Sequence, residues 1–178
     1  AVYSNAGYTL IAEVAARQAK TDYEALVAEH VFKPLKLDKA GFGRPRSKDR
    51  PDEPRLHVKR GQAFVPEPDG ERRPEAVLAA AGAVHCTVVE LARFAAYELA
   101  AAAGIAPLLK PETSKAYWKI QNPEGRGEAI QAGGAPWLHA TYSFSTKTNL
   151  AIAVATNCGS GDPPCEAAIR AVAKRMAG

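Results

Sequence analysis

The chain has 178 residues, 47% apolar and 24% charged, with a net charge of +4. That is the size and mixture of one compact domain with a buried core, and too weak a basic balance to point to nucleic acid. No apolar run reaches the roughly 18–20 residues that span a bilayer, and three cysteines without a Cys-x-x-Cys pair, with no Gly-rich phosphate loop, give no reason to expect a metal, a cofactor or a membrane span.

In chain order, residues 7–20 carry the helical period. Tyr8, Ile11, Ala12 and Ala15 share a face, and Arg17 and Lys20 sit near the end, where cations suit the helix dipole. Thr21-Asp22-Tyr23-Glu24 reads as a capping box in which the Thr21 hydroxyl takes the Glu24 amide. It opens a helix with Tyr23, Leu26, Val27 and Val31 as its stripe, and Pro34 stops it. Periodicity lapses from Gly41 to Pro74, where prolines gather and charges of both signs mix between Arg44 and Arg73. This stretch reads as solvated loop with a short strand around Leu56–Phe64.

Thr87-Val88-Val89-Glu90 is a second capping box. The helix after it buries Leu91, Phe94, Ala95 and Leu99, and Gly104 suits its end. Pro111 to Trp118 is a shorter helix with proline in its first turn. The period then changes to two. Leu138, Ala140, Tyr142 and Phe144 alternate with His139, Thr141, Ser143 and Ser145, the pattern of a half-buried strand with a polar outer face. Thr146 to Asn149 is a turn and Leu150 to Thr156 a second, apolar strand, so the pair predicts an antiparallel hairpin. A last helix over Glu166–Met176 carries Ile169, Val172, Ala173 and Met176 on one stripe. Helices, a hairpin and a closing helix define an α+β fold, an antiparallel sheet with helices packed on it. Cys158 and Cys165 flank a short Gly/Pro-rich segment, which leaves both a disulfide and two thiols open, while Cys86 reads as a small buried hydrophobe.

Chemistry concentrates at Tyr3-Ser4-Asn5-Ala6-Gly7-Tyr8, directly before an amphipathic helix, a capped second helix and Val31-Phe32-Lys33-Pro34-Leu35. This run resembles the second motif, Tyr-x-Asn, of the class C β-lactamase, DD-peptidase and esterase family. Ala79 to Thr87 with Glu90 to Phe94 is similar to that family's Gly-rich turn and following helix, and Leu150 to Asn157 with Gly159 to its last strand and turn. The resemblance implies that Tyr3 relays a proton beside a nucleophilic serine and its lysine, and that Asn5 binds substrate. The chemistry is self-consistent: a serine hydroxyl needs a base to become a nucleophile, and a phenol with a reference pKa near 10 serves only with a cation beside it. The plain alternative is that Tyr3 and Asn5 stand at a helix entrance, Asn5 capping it.

Two departures bear on function. None of the serines, at 4, 47, 114, 143, 145 and 160, has lysine three residues on; Ser47 has Arg50 there, and guanidinium cannot act as a base. Nor is there a Gly-x-Ser-x-Gly elbow. In the family the nucleophile lies upstream of Tyr-x-Asn, so the sequence reads as a carboxy-terminal portion. The family's third motif, Lys-Thr-Gly or His-Ser/Thr-Gly, is represented by Gln131-Ala132-Gly133, with Gly134 after it, as the substrate-binding strand edge. Gln131 donates hydrogen bonds but carries no charge, which favours an esterase, an amidase or an inactive relative over an enzyme for carboxylate-bearing β-lactams. Lys147-Thr148-Asn149 lies one strand too late and lacks the glycine. His85 and His139 read as hydrogen-bonded structural histidines.

The resulting expectation is one partial domain over 1–178, helical to about 125, with sheet strands and closing helix over about 126–178. The resemblance implies a hydrolase for a small-molecule amide or ester, working through an acyl-serine when a missing segment supplies Ser-x-x-Lys, and inactive alone. The alternative is a non-catalytic binding relative. Expected partners are that segment or a second copy, and the expected location is exported or periplasmic.

Overall fold

The structure, a computed structural model, describes residues 3–43, 52–67, 79–105, 108–121, 127–135, 137–159 and 162–176. Most of the mixed-charge loop, including Ser47 and Arg50, lies outside the described residues. The elements in order are α1 (Asn5–Ala19), α2 (Tyr23–Val27) continued by a π-helical turn (Ala28–Phe32), β1 (Gly41–Phe42), β2 (His57–Arg60), β3 (Ala63–Pro66), α3 (Ala79–Gly82), β4 (Val84–His85), α4 (Val88–Ala102), α5 (Pro111–Gln121), β5 (Glu128–Ala135), β6 (Leu138–Ser145), β7 (Leu150–Thr156) and α6 (Asp162–Met176). They gather into two compact units, one formed by Ala1–Pro54 with Pro68–Thr87, the other by Arg55–Glu67 with Val88–Gly178.

In the first unit α1 begins two residues earlier than its apolar period suggests, because Ser4 caps it: Ser4 Oγ accepts the Gly7 amide at 3.1 Å. Asn5 is therefore inside the helix and is not its cap. The helix ends at Lys20 in the left-handed conformation (φ 55°), with its amide on the Ala16 and Arg17 carbonyls. Asp22, not Thr21, caps α2, its carboxylate taking the Ala25 amide at 2.7 Å. At α2 two cap-capable side chains stand side by side, and the Asp22 carboxylate takes the role in place of the Thr21 hydroxyl. Of the face expected to be buried, α1 buries only Ala12, together with Ala16, where it packs on the alanine-rich α3; Tyr8 and Ile11 stay exposed. Phe32 and Phe42 pack at 5.7 Å, and Tyr23 meets Phe42 edge-on at 6.0 Å. The two-residue pairing of β1 with β4 sets Gly41 opposite His85.

The second unit is built on an antiparallel sheet in the order β5-β6-β7. The β6–β7 hairpin forms as its alternation predicts, with Asn149 taking the positive φ of the turn (53°). The polar side of β6 is not wet: His139 and Thr141 are buried, as is Phe144 on the other side. Both α4 and α6 pack on β6 and β7. Phe94 of α4 meets Tyr142 edge-on at 5.9 Å, and Trp118 of α5 lies 5.0 Å from Phe144. Burying Phe144 is worth roughly 1.5–3 kcal/mol.

The single strand expected around Leu56–Phe64 is a hairpin, β2 and β3, turning at Gly61 (φ 61°). It is fastened to the end of β7: the His57 amide donates to the Asn157 carbonyl and the Asn157 amide group to the Arg55 carbonyl, each at 2.7 Å. α6 starts at Asp162, four residues before the expected Glu166. Cys158 and Cys165 are thiols rather than a disulfide, and Cys86 is half-buried rather than buried.

Candidate active site

The head of α1 presents Tyr3 and Asn5 together. Ser4 must be extended to cap the helix (φ −149°, ψ 113°), and this sets Tyr3 and Asn5 on either side of it, facing one another. The Tyr3 hydroxyl donates to Asn5 Oδ1 at 2.7 Å, and the Tyr3 ring rests 5.8 Å from that of Tyr8, one turn along. Tyr3 is 73% exposed, and among the described residues its hydroxyl bonds to Asn5 alone. A phenol so placed can pass a proton only if a cation is brought beside it. The Asn5 amide N–H groups take no part in that bond.

Residues 131–134 lie on β5, the edge strand of the sheet among the described residues, in register with Tyr142, Thr141, Ala140 and His139 respectively. Gln131, Ala132, Gly133 and Gly134 are all exposed. The two glycines differ. A Cβ at Gly133 would meet nothing within 4 Å, so the strand surface there is open to a ligand; a Cβ at Gly134 would lie 2.7 Å from His139 Nδ1. Gly133 thus has open space beside it, whereas a side chain at Gly134 would meet the buried His139 ring and, at 3.3 Å, the Leu138 carbonyl oxygen. Lys147, in the β6–β7 turn, reaches Glu128 at 3.9 Å and is part of the hairpin's surface.

The remaining histidine candidates, His85 and His139, are within hydrogen-bond distance of other groups of the fold. His85 Nδ1 donates to the Gly43 carbonyl at 2.9 Å, and its ring would sit 3.0 Å from a Cβ at Gly41, so it pins β1 to β4. His139 Nε2 lies 3.0 Å from Thr141 Oγ1. Sequence reasoning missed a buried polar cluster in the second unit. Glu98 of α4 is 5% exposed and accepts from the Tyr117 hydroxyl at 3.3 Å. Its burial raises the carboxyl pKa above the usual range, an effect the Tyr117 bond partly offsets. Burial chiefly, then the Glu98 charge, also pushes the Tyr97 and Tyr142 phenols up. The signal was present: Glu98 falls three and four residues after Ala95 and Phe94, on the stripe already assigned to the core. Among the described residues no group of three metal-ligating side chains is found, and no helix is long and apolar enough to cross a membrane.

The α+β fold has counterparts among solved structures. A penicillin-binding protein homologue from Pyrococcus abyssi, described as octameric, superposes with a TM-score of 0.65 at 15% identity, over 89% of this chain and 39% of that one. A class C β-lactamase gives 0.64 at 14% identity, over 89% and 52%. The D-amino acid amidase from Ochrobactrum anthropi SV3, complexed with L-phenylalanine amide, gives 0.65 at 18% identity, over 88% and 50%. The chain thus spans about half the length of these structures or less, and they define its fold as that of the β-lactamases and penicillin-binding proteins. The β-lactamase family model matches residues 1–176, and the chain belongs to that family. No match was found among the curated proteins.

Proposed function

We propose that this chain is the carboxy-terminal portion of a serine hydrolase that cleaves a small amide or ester through an acyl-serine. The observation that carries the reading is the Tyr3–Asn5 pair at an exposed helix head in a chain of the β-lactamase family. The nucleophile comes from a Ser-x-x-Lys segment that the 178 residues do not contain. The lysine of that segment, set beside Tyr3, supplies the cation the phenol needs to accept the serine proton. Serine oxygen then attacks the carbonyl carbon, the amine or alcohol leaves with a proton relayed through Tyr3, and water releases the acid by the reverse relay. On the family resemblance Asn5 orients the substrate, the edge Gln131-Ala132-Gly133-Gly134 binds the acyl part, and backbone amides at the nucleophile and after Gly133 stabilise the oxyanion. Export to the periplasm is part of the proposal on family resemblance alone.

The uncharged Gln131 favours amide and ester substrates without a carboxylate, and it also keeps a second reading open, a relative that binds without catalysis. One experiment separates them. Incubated with a fluorescent penicillin or a fluorophosphonate, the chain alone is expected to show no mass adduct. Joined to a segment that carries Ser-x-x-Lys, it is expected to gain one, on that segment's serine. An adduct on a serine of the isolated chain, or none in the joined protein, would sink the hydrolase reading.

A further inference from the structure

We propose that His139 is a positioning residue for the substrate-binding edge of β5, seated against it in the volume that glycine at 134 leaves. This rests on the reading that residues 131–134 hold the acyl part, and it names what fixes that edge in place. β5 has no strand on its outer side among the described residues, so the edge is aligned from the β6 side alone. Ladder hydrogen bonds hold a strand in its register but leave its tilt and height compliant at an edge.

His139 supplies the missing stop. It stands opposite Gly134 in the register, and its Nδ1 comes within 2.7 Å of where a Cβ at 134 would be, closer than a carbon and a nitrogen pack. The ring therefore fills the volume that a side chain at 134 would take. It cannot swing away: Nε2 is 3.0 Å from Thr141 Oγ1, His139 is 8% exposed and Thr141 is fully buried at 0%. The stop is one residue from Gly133, where the strand is open to a ligand. A small residue at 134 and a large ring at 139 form one fitted pair, and the cost of burying an imidazole is offset by its bond to Thr141.

The test is amide hydrogen exchange on the chain itself, read peptide by peptide over β5, β6 and β7. His139→Ala is expected to speed exchange over residues 131–134 about tenfold while β6 and β7 change little, a local loosening rather than global unfolding. His139→Gln, whose amide nitrogen reaches where Nε2 lies, should restore protection. Gly134→Ala should loosen β5 strongly when His139 is present and add little on top of His139→Ala, where only the Leu138 carbonyl oxygen at 3.3 Å stays close. Equal acceleration at β5, β6 and β7, or Gly134→Ala acting alike with and without His139, would overturn the proposal. Should His139→Ala fail to fold, Gly134→Ala and His139→Gln carry the decision: the first must loosen β5 and the second must not. In the joined enzyme the same variants should shift KM more than kcat. Absence of turnover in the parent enzyme would remove the substrate reading of the edge and leave the exchange result standing.

Discussion

At the head of α1 two neighbouring residues divide tasks that their sequence does not separate. Ser4 caps the helix, so Asn5 is relieved of that duty and its amide meets the Tyr3 hydroxyl instead. The division predicts opposite phenotypes. Ser4→Ala should cost about 1 kcal/mol of stability in a urea melt, the usual worth of a cap, whereas Asn5→Ala should leave the melt nearly unchanged. In the joined enzyme Tyr3→Phe, which keeps the ring and its contact with Tyr8, should lower turnover by about 10²–10⁴-fold if the oxygen relays a proton. Asn5→Ala should instead act on binding, by an amount that varies with the acyl side chain. A Tyr3→Phe enzyme within a few-fold of its parent would return both residues to the status of helix-entrance scaffolding. The tyrosine and asparagine could be picked out from sequence as a pair, but the capping atom could not, because three residues in a row bear side chains able to reach an orphan amide or one another.

At the scale of elements, period decided what could be read. The β6–β7 hairpin was legible because two strands of alternating or continuous apolar character flank a turn. The β1–β4 pairing was not, since two residues have no period. The polar side of β6 misled because alternation reports a wet face only when nothing covers it, and here His139 bonds to Thr141 under cover. α4 shows the same effect in a helix: its buried stripe includes a carboxyl, Glu98, whose hydrogen bonds among the described residues come to one, from Tyr117 of α5. The sign of its contribution follows from its raised pKa. Below the ordinary carboxyl value of 4.5 the folded and unfolded states are both protonated and the contribution is fully present. As pH rises past that value and through the higher folded pKa, the unfolded chain ionises first and the contribution is lost. Glu98→Gln should therefore flatten the decline of the melting temperature between mildly acidic and neutral pH and be no less stable than the parent at pH 7. A parent curve that rises over that window would reverse the assignment.

At the scale of the molecule, α1 carries an exposed apolar surface, with Leu10 and Ile11 65% and 69% exposed beside Tyr8 and Val14. Apolar surface of that extent tends to find a partner, so the chain should sediment as an associated species, and Ile11→Glu should shift it toward monomer. A parent that is already a clean monomer would leave the α1 surface without a partner to seek. The second unit has a different kind of incompleteness, one that lies in time. Its β2–β3 hairpin is fastened at His57 and Arg55 to Asn157, 100 residues later in the chain. On a ribosome adding about 5–20 residues per second, the hairpin emerges and waits roughly 5–20 s before its anchor exists. Local pairing of eight residues around Gly61 can form in microseconds, yet docking is held to the pace of synthesis. For that interval the newborn chain carries Phe64 and Val65 on an unanchored hairpin, and translation speed between codons 67 and 157 sets how long chaperones and proteases have to reach it first.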